Sequence, residues 1–368
     1  MEEYSAFVGL DAHKDTVAVA VAEAGRLGEV RFWGTVANEE VRLASLVKKL
    51  SRLHGRILVA YEAGACGYSI HRQITGLGHD CVVVAPSRVP KKSADRIKND
   101  RRDALTLARL LRADELSPIW VPDTAHEAMR DLIRARHVAA RDLQKTRQTI
   151  QSFMLRQDRR FDGRPWTKGH LRWLRRQSFE QPAQFIALES YLDSADRAVM
   201  RRDHLETEIK SQLRNWSLRE QVSALQSLRG IALTTAVTLV AEIGDIQRFA
   251  TPRALMAYIG LVPSEYSSGA TIRQGSITKA GNSCARRMLI EAAWSYARPA
   301  RITPERKAEL NQQSDILQDI SWKAQIRLCG RYRNLIANGK KPQVAITAIA
   351  RELLGFVWAV SMQSQLRT

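Results

Sequence analysis

The sequence predicts an α/β domain built on a mixed sheet, followed by an all-α remainder. Apolar runs of strand length crowd into the first 85 residues: Ala6–Leu10, Thr16–Ala22, Val30–Val36, Arg56–Tyr61 and Cys81–Ala85. From residue 124 onward the apolar positions recur at helical spacing instead. Carboxylates close two of the runs, Asp11 after Ala6–Leu10 and Glu62 after Arg56–Tyr61. An unpaired charge at the end of a buried strand is costly, so a carboxylate there implies a purpose other than packing.

The first two strands are joined by the polar turn Asp11-Ala-His-Lys-Asp15, and Gly25 and Gly28 punctuate the path into the third. Asn38 is placed to cap a helix running through Leu53, with Glu39 and Glu40 favourable in its first turn. A strand at Arg56–Tyr61, a helix near Tyr68–Leu77 and the strand Cys81–Ala85 follow. Asp100 and Asp103 then stand i,i+3 on one face of a helix continuing Asp103-Ala-Leu-Thr-Leu-Ala-Arg-Leu-Leu. The order β-β-β-α-β-α-β-α is that of a ribonuclease-H-like sheet, in which the first and fourth strands lie side by side at the centre. Asp11 and Glu62 then converge, and the helix starting near Asp100 brings Asp100 and Asp103 over them. Four carboxylates suit Mg²⁺, with Mn²⁺ an acceptable substitute, because hard cations prefer oxygen ligands and substrate phosphates. Two such ions ~3.5–4 Å apart stabilise the attacking and leaving oxygens of an in-line displacement. A simple preference of Asp100 and Asp103 for a helix N-terminus accounts for that pair but not for Asp11 and Glu62.

Residues 1–123 are therefore expected to form the catalytic domain. Residues 124–220 are expected to be a long-helix, coiled-coil-like region. Residues 124–157 carry Met129, Leu132, Ile133, Val138 and Leu143 on one face, either as a projecting arm or packed on their own domain. Asp158–Gln184, rich in Arg and Trp, reads as an irregular connection to a second long helix, Phe185–Trp216. The two helices can pair antiparallel within a chain or dimerise. Residues 221–368 read as a small helical domain of short helices and tight turns. Its Leu228-Arg-Gly-Ile-Ala232 turn resembles a helix-hairpin-helix, whose glycine exposes backbone N–H groups to a phosphate. The usual second glycine is Ala232 here, and an ordinary packing hairpin is the alternative.

The net charge of +19 implies a polyanionic partner, nucleic acid above all. Residues 221–368 hold 19 Lys+Arg against 9 Asp+Glu and are the main candidate for gripping phosphates. Cys66, Cys81, Cys284 and Cys329 show no C-x-x-C spacing, which argues against a zinc site or a disulfide framework and fits the cytoplasm. The N-terminus lacks the pattern of a secretory signal. The longest apolar stretch is read as Ile231–Ala241, too short to span a bilayer, so no membrane is expected. No Walker-type glycine loop is present, and Gly339-Lys-Lys lacks the first half of one.

Taken together, Val8-Gly-Leu-Asp11-Ala-His-Lys, Tyr61-Glu62-Ala-Gly and Lys98-Asn-Asp100-Arg-Arg-Asp103-Ala resemble the DEDD motifs of the insertion-sequence-110 recombinases. Gly260-Leu-Val-Pro263-Ser-Glu-Tyr-Ser-Ser268-Gly and Ile277-Thr-Lys-Ala-Gly-Asn282 are similar to that family's second conserved domain. The tail, with Trp322-Lys-Ala-Gln, Arg331-Tyr-Arg and Ala350-Arg-Glu-Leu-Leu-Gly-Phe, is similar to the insertion-sequence-1111 subgroup. The resemblance spans nearly the whole chain. It implies a RuvC-like domain whose metal ligands are Asp11, Glu62, Asp100 and Asp103, and a serine, Ser268, that attacks DNA. It also implies donor and target DNA as partners, a guide RNA transcribed from the element, and dimers that pair into tetramers. Asn99 stands where the family has Thr.

Ser268 lies in a loop, Ser267 to Gly275, whose glycines permit close phosphate approach. Arg273, Lys279, Arg286 and Arg287 surround it in sequence and are candidate phosphate contacts. No histidine follows His204, which excludes a Ser–His dyad within residues 221–368. The expected function is that of a DNA transposase or recombinase in which metal-bound carboxylates assist serine attack on a phosphodiester. If the acids and Ser268 act together, the two domains must meet. The competing readings are a metal-dependent Holliday-junction endonuclease that uses water, and a non-enzymatic nucleic-acid-binding protein on a decayed scaffold.

Overall fold

The computed structural model describes residues 4–90, 99–268, 271 and 273–365. Gly269, one of the loop glycines expected beside Ser268, lies outside them. The chain divides into two compact units, residues 1–121 and 122–368.

In the first unit the strands are β1 (Ala6–Ala12), β2 (Thr16–Glu23), β3 (Val30–Ala37), β4 (Ile57–Glu62) and β5 (Asp80–Val84). The helices are α1 (Glu40–His54), α2 (Ser69–Gly76) and α3 (Asp100–Arg112). The sheet order is β3-β2-β1-β4-β5, with β1 to β3 antiparallel and β1, β4 and β5 parallel. The element order and the central β1–β4 pair are those expected of a ribonuclease-H-like sheet.

Both faces of the sheet are covered, so its strands read as continuous apolar runs rather than alternating ones. On one face Val8, Leu10, Val19, Val59 and Tyr61 pack against Leu43, Leu46 and Leu50 of α1 and Ile70 and Ile74 of α2. On the other, Phe7, Ala18, Ala20, Leu58 and Ala60 pack against Ala104, Leu107, Ala108 and Leu111 of α3. Successive strand residues point to opposite faces. Gly9 and Asp11 therefore share the α3 face with Phe7, and Glu62 shares it with Leu58 and Ala60. At Gly9 the helix backbone sits directly on the strand: a Cβ there would strike the Ala104 carbonyl oxygen and lie 2.5 Å from the Ala108 nitrogen.

Asn38 does not cap α1. The cap position is Glu39, without a side-chain hydrogen bond. The Asn38 amide instead donates to the His13 carbonyl at 2.7 Å, which ties the β1–β2 turn to the end of β3.

The second unit begins with α4 (Thr124–Arg156), α5 (Lys168–Arg175) and α6 (Pro182–Leu213). Of the two long helices, α4 and α6 pack on each other within one chain. Contacts between Arg136 and Glu206, Arg201 and Asp142, and Gln184 and Gln157 run in opposite chain directions, which makes the pair antiparallel. The stretch expected to be irregular contains α5. Thr167 caps it by accepting from His170 N, and its His170 and Trp173 rings gather with Phe161 and Trp166.

The remaining elements are α7 (Arg219–Leu225), α8 (Leu233–Ile243), α9 (Pro252–Ile259), β6 (Pro263–Glu265), β7 (Gln274–Ile277) and α10 (Ser283–Ala293), then α11 (Pro304–Leu310), α12 (Asp315–Ala337) and α13 (Pro342–Gln365). The antiparallel β6–β7 hairpin was not expected from the sequence. Ile231–Ala241 is not the longest apolar segment either. Pro342–Ser364 of α13 is long and apolar enough to cross a membrane, but half of it is buried inside this unit. Ile346, Ile349, Leu353, Leu354 and Val357 of α13 join the same core as α8 and α10.

The contact at Gly9 gives a direct test. Gly9→Ala should lower the urea-unfolding free energy by about 1–3 kcal/mol, the usual cost of overpacking. Gly76→Ala, at a site with nothing within 4 Å, should be neutral or slightly stabilising.

Candidate active site

Asp11 and Glu62 become neighbours through sheet register. Leu10 pairs with Tyr61 in the parallel β1–β4 ladder, so the next residues on each strand, Asp11 and Glu62, sit side by side on the α3 face. The start of α3 supplies the other two carboxylates. Asn99 caps that helix, its side chain accepting from Arg102 N at 2.9 Å. Asn in place of the family's Thr thus retains a capping side chain.

The ligand atoms of Asp11, His13 and Asp100 all lie within 4.8 Å of one another. The His13 Nε2 is 3.3 Å from Asp11 Oδ2 and 3.5 Å from Asp100 Oδ1. Burial raises the Asp11 carboxyl above its ordinary value; His13 opposes the rise, while Asp103 and then Asp100 add to it. Asp103 is therefore close enough to be felt, although neither it nor Glu62 belongs to the tightest cluster. This partly buried group of like charges with a single imidazole among them fits a divalent cation, which would relieve the repulsion through oxygen ligands.

His13 is the residue sequence reasoning passed over. It follows Asp11 by two, so strand alternation extended past β1 would have put it on the same face. Its carbonyl is held by Asn38 and, at 3.4 Å, by the Cys66 thiol, contacts that no local pattern announces.

The second unit carries the remaining candidates. Beyond β6 and β7 the hairpin narrows to a bridge in which Ser268 N donates to Thr271 O at 3.2 Å and Thr271 N donates to Ser268 O at 3.1 Å. Ser268 is exposed there. The neighbouring Ser267 hydroxyl is engaged: it donates to Glu265 Oε1 at 2.7 Å and accepts from Arg273 N at 3.3 Å. Among the described residues the Ser268 side chain has no hydrogen-bond partner, which distinguishes the two serines. Arg273 and Lys279 are exposed on the same hairpin and the loop that follows it.

Arg286 and Arg287 are placed differently. Arg286 Nη1 donates to the Ile259 and Ala280 carbonyls at 2.7 and 2.8 Å. This clamps the 278–282 loop against the end of α9, where Gly260 and Gly281 allow the two backbones to touch. Arg287 Nη2 meets His137 Nδ1 at 3.2 Å, and its Nε lies 3.7 Å from Glu291. Arg286 thus supports the loop, while Arg287, still exposed, joins α10 to His137 of α4.

That loop is anchored further by Glu242 at the end of α8. Its buried carboxylate accepts two bonds from Arg134 of α4, at 2.8 and 2.9 Å, and one from the Asn282 amide at 2.6 Å. Burial alone would raise this carboxyl, but Arg134, then Asn282 and Arg130, hold it below its ordinary range. His126 and Arg130 both meet the Ala241 carbonyl, at 2.8 and 2.9 Å. His126, Arg130, Arg134 and His137 form one polar stripe along α4, and its cations meet the negative end of α8.

A ribonuclease-H-type sheet with carboxylates at the ends of its two central strands defines a polynucleotide-processing domain. Comparison with known proteins agrees. A DEDD-type insertion-sequence-110 transposase model matches residues 8–157, and one described as the Transposase IS116/IS110/IS902 family matches residues 222–308. The Sinorhizobium fredii protein y4qE, named as a transposase, is 47% identical over 99% of this chain and 90% of its own. The transposase for insertion sequence element IS1533 of Leptospira borgpetersenii is 29% identical over 91% of this chain and 98% of its own. The Thermus thermophilus RuvC structure matches 31% of this chain and 99% of its own, at 14% identity and a TM-score of 0.22. The chain belongs to the insertion-sequence-110 family of transposases.

The α4 stripe makes stability acid-sensitive. Burial, followed by Arg287 and Arg136, pushes the His137 imidazole down from 6.5 to about 4. The unfolded chain therefore binds a proton that the folded unit refuses, and stability falls as pH drops from 6.5 towards 4. At 1.36 kcal/mol per pH unit the loss approaches roughly 3 kcal/mol. Thermal unfolding of the His137→Gln variant should show a flatter pH profile across that window. Matching profiles for variant and wild type would remove His137 from this role.

Proposed function

We propose that this transposase cuts and rejoins DNA by attack of Ser268 on a phosphodiester, assisted by Mg²⁺ held at Asp11, Glu62, Asp100 and Asp103. The observation that supports the reading is the shared face: register sets Asp11 and Glu62 side by side on the α3 side of the sheet, and Asp100 and Asp103 stand in the first turn of α3. Glu62 and Asp103 complete the set around the Asp11–Asp100 pair, and His13 is positioned to orient it by hydrogen bonding. When bound, Mg²⁺ would supply positive charge beside the oxygens that gain negative charge during displacement; Mn²⁺ could substitute.

At the hairpin, the Ser268 Oγ–phosphorus bond forms as a P–O bond of the strand breaks, and the serine proton leaves to a base or water. The resulting phosphoserine keeps the bond energy for rejoining. Ser268, exposed and not held by a described neighbour, is better suited to this than Ser267. Arg273 and Lys279 bind the flanking phosphates, Arg286 holds the loop that presents them, and Arg287 adds to the positive field. No histidine of residues 221–368 is available as base. His126 and His137, contributed to this unit by α4, are spent on Ala241 and Thr238.

We assign residues 1–123 to catalysis, 124–220 to a long-helix, coiled-coil region and 221–368 to the serine and DNA surface. The tail residues around Trp322, Arg331 and Ala350 support the insertion-sequence-1111 subgroup. The charge of +19 supports nucleic-acid partners: donor and target DNA and an element-encoded guide RNA. Dimers pairing into tetramers are the assembly this family reading implies.

Asp11→Asn and Asp103→Asn should abolish strand transfer while leaving DNA binding intact, and chelator should do the same to the wild type. Full turnover in chelator would sink the metal site. A nicked suicide substrate should trap a denaturant-resistant protein–DNA adduct that peptide mapping places on Ser268. Ser268→Ala should remove the adduct and Ser267→Ala should not. Wild-type cleavage by Ser268→Ala would instead point to a hydrolytic, junction-type endonuclease.

A further inference from the structure

One cavity of the second unit is lined by none of the metal-ligand, serine or phosphate-contact residues proposed above. It has a volume of about 840 Å³ and is bordered by Arg229, Arg298, Arg301 and Arg306. We propose that this cavity is a nucleic-acid site, taking a phosphodiester of a polynucleotide strand together with its attached sugar or base.

The cations are positioned rather than merely gathered. Gln325, a buried side chain of α12 at 3% exposure, accepts from Arg229 Nη1 at 3.3 Å and from Arg301 N at 3.2 Å. Arg229 Nη1 also donates to the Pro299 carbonyl at 2.8 Å, so its guanidinium is fixed at the wall. Arg306 is partly neutralised by Glu309 at 2.7 Å, and it donates to the Gln226 carbonyl beneath the α7–α8 turn. Glu305 is near enough to Arg301 to feel its charge. Four arginines against these two carboxylates leave a net positive rim. Among the described residues, the exposed side chains of Arg298 and Arg301 have no hydrogen-bond or ion-pair partner.

The chemistry of the walls selects the ligand. Guanidinium groups match phosphate oxygens in a planar, bidentate fork. A lone phosphate would fill little of the volume, and Pro299 and Ala300 offer an apolar surface suited to a sugar or base ring. Ala232, also on the wall, occupies the cap position of α8 without a side-chain acceptor, so an anion there meets the positive end of that helix. The turn glycine itself serves packing: Gly230, at φ +84, lies against the Ala292 carbonyl and the Ser295 hydroxyl. The hairpin signalled by sequence thus contributes through its arginine and the cavity beside it.

Fluorescence anisotropy in chelator, with labelled single-stranded DNA, duplex DNA and RNA of equal length across a salt series, tests the site. Binding is read without metal or cleavage, so failure of the acid cluster or of Ser268 leaves the result untouched. Arg298→Ala/Arg301→Ala should weaken binding about tenfold and reduce the log–log salt slope by about 1.4–1.8, two phosphate contacts' worth. Ala300→Trp, which blocks the cavity without altering charge, should weaken the same probe; Ala300→Phe replaces it should the larger ring prevent folding. Arg253→Ala/Arg333→Ala, at two exposed arginines outside the cavity, sets the effect of losing two charges. The probe that loses most names the strand. If the cavity double variant matches this control pair for all three probes, or if blocking the cavity leaves binding unchanged, the site does not exist.

Discussion

The first unit depends on the close approach of α3 to β1 at Gly9. A helix normally stands off a sheet by the thickness of two layers of side chains; here the helix backbone rests on the strand because Gly9 has no side chain and Ala104 and Ala108 have small ones. That contact sets both the height and the rotation of α3. Asp100 and Asp103 lie one turn or less before Ala104, and Asp11 lies two residues after Gly9. Fixing Gly9 against Ala104 therefore fixes the carboxylates against one another. The Asp11 carboxyl is raised first by burial and then by Asp103 and Asp100, which that arrangement brings near it.

A buried polar staple does comparable organising in the second unit. Glu242 joins the end of α8 to Arg134 on α4 and to Asn282, which caps α10 through Cys284 N and Ala285 N. One carboxylate thereby ties the long-helix pair to the loop that follows the serine hairpin. Replacing such a group with an apolar residue could leave the core as stable, but the loop would lose its fixed point. Of the arginines that sequence reasoning offered to DNA, Arg286 is engaged in the same task and Arg287 meets His137 of α4. Their charge was legible in the sequence, whereas their engagement with Ile259, Ala280 and His137 was not.

The contrast is general along this chain. Strand alternation made Asp11 and Glu62 visible, because a period of two and a carboxylate at the end of an apolar run are both local facts. His13 could have been found by the same rule carried two residues further. Gly9 could not, since nothing beside it in sequence reveals that Ala104 and Ala108 will press on it. The β6–β7 hairpin escaped notice for a related reason: Pro263–Glu265 and Gln274–Ile277 are too short and too polar to show a period. The α13 helix was overlooked because Arg351 and Glu352 interrupt its apolar run, although packing buries the residues around them.

The sequence by itself determined the element order of the first unit, the helical character of the second, the candidate acids and the basic balance, and through its motifs the family. These follow from periodicity, capping and composition, which act over a few residues. Only the tertiary structure decided that α4 and α6 pair within one chain, that Arg286 braces a loop, that the Ser267 hydroxyl is held by Glu265 and Arg273, and that four arginines border one cavity. Each of these rests on contacts between residues far apart in the chain. Such contacts depend on which faces meet once the apolar surfaces are buried, and no local signal specifies that.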